Sequence, residues 1–422
     1  MQVHTWSVSV RRLPGAHALG GLVAAAIACG GTTASDPSGP ASTTTAATNT
    51  GTATAGSGDA SSGGVDSSGS GGELPPPSRW MVTADFLAGT LTRIDYDAVA
   101  AGAREPADIV RGTIDLSAYA PGPIEVEIAP DGHTALVAIS PGFFDGIVGQ
   151  TLGFTDLPLE GAALVVDLDT GEVVAELATA HVPLGFAFAP DGALAYSANY
   201  GHSGAPGSTL SVIDMATLAV VDDIEVGVGP EQVAIDHSGA LGILNVVSSR
   251  SVRVFQTSDP AGTMSPPLEV SDDPSGVTFV PGTDLAVVAN SLTPSNWAVI
   301  DVGDPAAPVV RDQGDAPGGF PYGVTQIPGT QHVLLTLAND ATAFVRIDVG
   351  ADPSTVVWTT AFAGLRSFPL GVAVDVDSGL AFSGAGGGDA LLVIPLDGSA
   401  GTSVPWPSPG PTYVAIGPPR DG

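Results

Sequence analysis

The chain has no lysine, one cysteine and few charges: only 13% of its 422 residues are ionisable Asp, Glu, Lys or Arg. Its 12 basic residues are all arginine, and against 44 carboxylates they leave a formal net charge of −32. Nucleic acid and anionic membrane surfaces both need a basic footprint, so neither is expected as a partner. A lone cysteine, Cys29, cannot close an intramolecular disulfide, build a thiolate metal cluster or attach a haem covalently. No Gly-x-Ser-x-Gly elbow and no phosphate-cradling loop ending in lysine occurs. The histidines beyond the first 29 residues (His133, His181, His202, His237 and His332) include no pair at metal-ligand spacing. No metal and no cofactor is therefore expected.

What is present points to a strand-rich folded protein. Hydrophobic residues make up 44% of the chain, enough to bury a core. Glycine (56) and proline (36) make up about a fifth of it, which disfavours long helices and favours short strands joined by turns.

Residues 1–28 have the layout of an export signal: Arg11 and Arg12, then an apolar run from Ala16 to Ala28 that is too short for a membrane span of about 20 residues. The run ends in Ala26-Ile27-Ala28-Cys29-Gly30, which resembles the lipobox of bacterial lipoproteins. That resemblance implies cleavage before Cys29, lipidation of Cys29 and attachment to the cell envelope by the lipid alone. Gly30 after the cysteine favours the outer membrane, by likeness to Gram-negative sorting. The Arg11-Arg12 pair leaves the export route open between the general and twin-arginine systems. Residues 29–78 are almost entirely Gly, Ser, Thr, Ala, Asp and Pro, closing on Pro75-Pro76-Pro77, and read as a disordered lipidated tether.

From Arg79 onward the chain repeats. A proline followed by a short apolar strand recurs at Pro123, Pro183, Pro230, Pro274, Pro321, Pro369 and Pro411, at spacings of 60, 47, 44, 47, 48 and 42. Each is followed by a tight turn, such as Pro130-Asp131-Gly132 or Pro190-Asp191-Gly192, and by a second strand. A third strand then closes on an Ile/Val-Asp pair, as at Val166-Asp167, Ile213-Asp214, Ile300-Asp301 and Ile347-Asp348, before a fourth. Four antiparallel strands in about 48 residues is one blade of a β-propeller. The last repeat has room for only one strand, and the strands from Arg79 to Asp95 match its missing parts. Residues 79–422 therefore predict an all-β, seven-bladed β-propeller of four-stranded antiparallel blades, closed by N-terminal strands that complete the C-terminal blade.

Tyr196-Ser197-Ala198-Asn199-Tyr200, Ser211 to Thr217 and Gly229-Pro230 resemble the repeat of the YVTN family of seven-bladed propellers. The resemblance implies the fold and leaves the activity open, since such propellers include surface-layer proteins and lactonases.

The asparagines ending second strands (Asn199, Asn245, Asn290 and Asn339) are expected to cap turns, and the third-strand aspartates to shape the following hairpins. The first repeat is about 14 residues longer than the others, and the excess lies in Ser140 to Gly161, carrying Phe143, Phe144, Asp145 and Phe154. Strand direction puts this insertion on the same face as the loops leading into each blade, with His181, His202 and Glu231 nearby. It reads either as an aromatic binding surface or as a plug folded over the channel. Glu125 and Gln232 stand where most other repeats have an axial glycine, adding polar groups to that sector. The candidate ligand residues are thus Phe143, Phe144, Glu125, His181, His202 and Glu231. The expected function is an envelope-anchored lipoprotein, a monomer, presenting a propeller surface to a protein or glycan ligand. The alternative is a lactonase-like hydrolase drawing on Glu125, Glu127, His181, His202 and Glu231.

Overall fold

A computed structural model describes residues 77–420, apart from 120–121, 145–156, 292–295, 318–319, 339–342, 363–364 and 366–367. Cys29, the signal, most of the tether, Asn339 and the middle of the insertion, with Asp145 and Phe154, lie outside the described residues.

The described strands form seven four-stranded antiparallel sheets. Their innermost strands are Pro123–Ile128, Gly185–Phe188, Pro230–Ile235, Pro274–Val280, Phe320–Ile327, Val372–Asp375 and Pro411–Ile416. Each touches the next, and the last touches the first, so the blades close into a ring around an axis. Four inner strands (blades 1, 3, 4 and 7) open on the repeat's proline and one on Phe320 beside Pro321. A residue without an N–H is tolerated there because the axis side of the strand has no ladder partner. One extra residue sits just after Pro123, Pro230, Pro274 and Pro321, a bulge that re-aims the side chains near the channel mouth.

The six turns between first and second strands place Gly132, Gly192, Gly239, Gly282, Gly329 and Gly379 at φ between +69° and +76°, where only glycine is unstrained. The aspartates behave as hairpin-shaping residues. Asp167 Oδ1 accepts from the backbone N–H groups of Asp169 (2.8 Å) and Thr170 (2.9 Å), and Asp214 and Asp348 repeat the motif. Asp95 instead caps the short helix Tyr96–Ala100.

The asparagines differ from the turn-capping expectation. Asn199 accepts from Ser197 Oγ and donates to Thr209 and Ser211 across the strands of its own blade. Asn245 accepts from the Gln232 N–H and donates to the Pro274 carbonyl of the next blade. Both are fully buried: Asn199 ties side chains within one sheet, whereas Asn245 satisfies backbone groups and stitches its sheet to the next.

The ring closes in blade 7. Pro411–Ile416 pairs with Trp80–Asp85, which continues into Thr90–Asp95 and then Val110–Asp115. The sequence pattern showed two of these N-terminal strands; the third follows two short helices, Tyr96–Ala100 and Pro106–Ile109, that hide the repeat spacing. On one flank Trp80 Nε1 and Arg420 Nη2 both donate to Asp169 of blade 1 (2.8 and 2.7 Å), and the Arg93 and Arg420 guanidinium groups lie over the Trp80 ring. On the other flank Tyr96 donates to Asp375 of blade 6 (2.6 Å), and Arg79 pairs with Asp375 and Asp377.

Candidate functional site

The channel is built from alternate residues of the inner strands. The position two residues after the repeat's proline holds Glu125, Gly185, Gln232, Gly276, Gly323, Gly371 and Tyr413 in chain order. At Gly185, Gly276 and Gly323 the neighbouring backbone comes close (a Cβ on Gly276 would sit 2.5 Å from the Tyr322 carbonyl oxygen), while Gly371 makes room for the Tyr413 ring. Where it is not, side chains occupy the axis. Glu125 reaches across blade 2, with Oε1 accepting from the Phe186 N–H (2.9 Å) and Oε2 from Gln232 Nε2 of blade 3. The two residues singled out as departures from the glycine pattern thus meet and tie three blades together. Both Glu125 oxygens are engaged, and the carboxyl serves as a strut.

Farther along the axis, Glu127, Ala187, Ala234, Thr278 and Thr325 line a cavity of about 220 Å³, with Gln232, Tyr322 and Tyr413 among its other walls. The walls continue to Phe188 and Ile235, the last residues of two inner strands. No lysine, arginine or histidine contributes. Burial pushes Glu125 up to about 8 and Glu127 up to about 7. Burial also raises the Tyr322 and Tyr413 hydroxyls well above their ordinary range, and neighbouring carboxylates add to it: Glu231, Glu125 and Asp273 at Tyr322, Glu125 and Glu127 at Tyr413. Asp273, just before the proline of blade 4, is likewise raised to about 7 by burial, with Asp272 reinforcing it.

The insertion closes one end of this channel. Pro141–Phe144 forms a 3-10 turn that drives both phenylalanines inward. Phe144 is 2% exposed and packs edge-on against Phe86 (4.8 Å) and Phe368 (6.5 Å); Phe143 packs on Phe144, Tyr200 and Tyr322 (5.1, 5.8 and 5.8 Å). With Ile124, Leu184 and Leu370 these rings make one apolar cluster drawn from blades 1, 2, 5, 6 and 7. Of the two readings of the insertion, its described part fits the plug: an apolar lid over the axis.

His202, Glu231 and His181 do not line the cavity. His202 lies against the start of the insertion, where a Cβ on Gly142 would sit 2.6 Å from the His202 Cβ, and its Nδ1 accepts from the Gly204 N–H. Glu231 is 2% exposed, close enough to Tyr322 to raise its hydroxyl. His181 is only partly buried, and its carbonyl accepts from Thr179; it is not a cavity wall. Tyr322, Tyr413 and Asp273 were missed. Tyr413 was findable, because it occupies the same aligned position as Glu125 and Gln232. Tyr322 and Asp273 carry no such signal, since one and minus one from the proline vary freely between repeats. Among the described residues no three His, Cys, Asp or Glu side chains are grouped to hold a metal ion, and no helix is long and apolar enough to cross a membrane.

The geometry defines a seven-bladed β-propeller with a lidded axial cavity, and known structures agree on the fold. The chain matches no sequence-family model and no curated protein. It is similar in structure to a functionally unknown protein from Desulfotomaculum acetoxidans DSM 771, with a TM-score of 0.63 and 15% identity over 81% of this chain and 99% of that one. It is also similar to hydrazine synthase of Kuenenia stuttgartiensis, with a TM-score of 0.51 and 18% identity over 66% of this chain and 78% of that one. At these identities the likeness concerns architecture alone.

Proposed function

We propose that this protein is a ligand-binding propeller of the bacterial cell envelope, tethered through a lipid on Cys29, whose ligand site is the axial cavity beneath the aromatic lid. The observation that carries the site is a cavity of about 220 Å³ walled by Glu127, which has no hydrogen-bond or ion partner among the described residues. Glu127 is half-buried, and a carboxyl drawn partly out of water without a partner costs stability, so a fold that only needed to be stable would favour an apolar residue there. The volume lies below the roughly 300–1,000 Å³ of drug-sized ligand sites, so the ligand is small. Support for the tether comes from the lipobox-like Ala26-Ile27-Ala28-Cys29 and the Gly/Ser/Thr-rich stretch behind it, and a second acyl chain at such a site is what makes anchoring stable. The YVTN-like repeats fit an extracytoplasmic propeller.

Two experiments test this reading. Cys29→Ala should move the protein from the membrane to the soluble fraction; unchanged membrane retention overturns the tether. For the site, the full chain and an Ala234→Leu variant, which fills the cavity, are exposed to the low-molecular-weight fraction of an envelope extract and examined by native mass spectrometry. A bound small molecule that the variant loses supports the axial site, and equal retention by both proteins overturns it. The same pair is assayed on a lactone panel, where turnover that vanishes in Ala234→Leu would assign the cavity to a hydrolase.

A further inference from the structure

The chemistry of the cavity narrows its ligand further, on the assumption that the axial cavity is the binding site. We propose that the ligand is a small organic cation, an alkylamine or alkyldiamine, held with an ammonium group on Glu127 and its chain past the small side chains of Ala187 and Ala234 towards the Tyr322 hydroxyl.

Three independent observations converge on this. First, the cavity offers acceptors and lacks cations. Glu127 lines it, the Thr278 and Thr325 hydroxyls stand on the same tier, and no basic side chain is among its walls. An anionic ligand would meet the Glu127 carboxyl with no basic side chain to offset it, and a purely apolar one would leave Glu127 unsatisfied. Second, the Tyr322 hydroxyl is buried and makes no hydrogen bond, although the residue is a cavity wall and only 5% exposed. Phe143 and Phe368 pin its ring from the lid side. A buried hydroxyl left unmade by the protein is a place for a ligand's polar end. Glu231, Glu125 and Asp273 all raise that hydroxyl, so a second positive charge arriving there would be favoured as well. Third, Ala187 and Ala234 on the Glu127 tier carry small side chains, which leave room there for a short methylene chain. The volume corresponds to about seven waters at roughly 30 Å³ each, enough for a short alkyl chain and two polar ends.

A divalent metal is a poorer match for these groups. No three metal-ligating side chains converge among the described residues, and Glu125, the other carboxyl near the cavity, has both oxygens committed to Phe186 and Gln232.

The test uses the full chain with Cys29→Ser, so that it is handled without detergent. Four probes on one carbon skeleton are titrated calorimetrically: 1,4-diaminobutane, butylamine, butan-1-ol and butyrate, with glucose as a neutral polyol. The expected order is diamine, then monoamine, with no measurable binding of the other three. Glu127→Gln should weaken both amines at least tenfold, the loss of a charge-assisted hydrogen bond. Tyr322→Phe should weaken the diamine and leave the monoamine nearly unchanged. The wild-type probe order does not depend on any variant folding, and circular dichroism checks both variants. Binding of glucose or butanol in place of the amines would overturn the cationic ligand while leaving the axial site standing. Amines that bind equally to wild type and to Ala234→Leu would place them outside the cavity and overturn the proposal. Binding of none of the probes to the wild type would overturn it too.

Discussion

The seam of the ring and its axis treat carboxyl groups in opposite ways: Asp169 at the seam is exposed and Asp375 buried, but both are surrounded by donors, whereas Glu125 on the axis is fully buried. At the seam Asp169 receives Trp80, His133 and Arg420, and Asp375 receives Ser378, Tyr96 and Arg79. Burial alone would raise both groups, but these donors and charges outweigh it and hold them below the ordinary carboxylate range. On the axis burial wins: Glu125, Glu127 and Asp273 are all raised, and Glu127 has no partner to offset it. The seam is built to stay shut. The axis retains polar groups that the protein itself does not satisfy, the arrangement of a site that waits for something else to complete it.

The comparison breaks most visibly if the seam is removed. Deleting residues 77–97 takes away two strands of blade 7 and leaves Pro411–Ile416 without its partner, so cooperative thermal unfolding should be lost. Deleting 30–76 should leave the midpoint unchanged. Equal midpoints for the two truncations would contradict closure by blade 7.

Next in size is Trp80→Ala. Trp80 is 5% exposed, belongs to the cluster between blades 7 and 1, and positions two guanidinium groups and Asp169. Its loss should cost about 3–5 kcal/mol in denaturant unfolding.

The opposite pKa directions give the two regions opposite pH responses. Asp169 and Asp375 have lowered folded values, so their contribution is present above the unfolded value of 3.8 and is lost as acid protonates them. Glu125 and Glu127 are raised from 4.5 to about 8 and about 7, so the folded state binds more protons than the unfolded one across that interval, and stability falls as pH rises through it. The thermal midpoint should therefore peak at mildly acidic pH. Glu125→Gln removes the ionisation and keeps the strut once the Gln232 amide turns to accept from the new NH2, so it should raise the midpoint at pH 8.5 and change it little at pH 5. A Glu125→Gln effect larger at pH 5 than at pH 8.5 would contradict the burial argument.

The smallest effect is the most diagnostic in sign. Tyr322→Phe removes a buried hydroxyl that bonds to nothing, so the unliganded protein should gain up to about 1 kcal/mol. A seam hydroxyl behaves the other way: Tyr96→Phe breaks the 2.6 Å bond to Asp375 and should destabilise.

Much of this contrast was legible in the sequence, and the missing part has a physical reason. Blade number, turn glycines and hairpin aspartates follow from repeats whose backbone needs are local, so each could be read one blade at a time. Glu125 and Gln232 stood out because glycine at the same position in four other repeats supplied a standard to depart from. The third strand of blade 7 was hidden by the helices at Tyr96–Ala100 and Pro106–Ile109, which break the spacing. Asn199 and Asn245 act between strands and blades, and Tyr322 reaches over the axis to Phe143 of blade 1, contacts that no single repeat encodes. The direction in which Phe143 and Phe144 face was equally open, because an aromatic insertion satisfies the same pattern whether it covers the channel or faces solvent.

The central claim is that Glu127 is a half-buried, unpartnered carboxyl of the axial cavity that a cationic ligand completes. Carboxyl-labelled glutamate read by carbon NMR, with the signal assigned by its loss in Glu127→Gln, measures this directly. Without ligand the Glu127 carboxyl should titrate at about 7. With saturating 1,4-diaminobutane it should fall towards the ordinary range near 4.5, because an ammonium group beside it favours the charged form. A midpoint that stays at about 7 in the presence of the diamine would contradict the account.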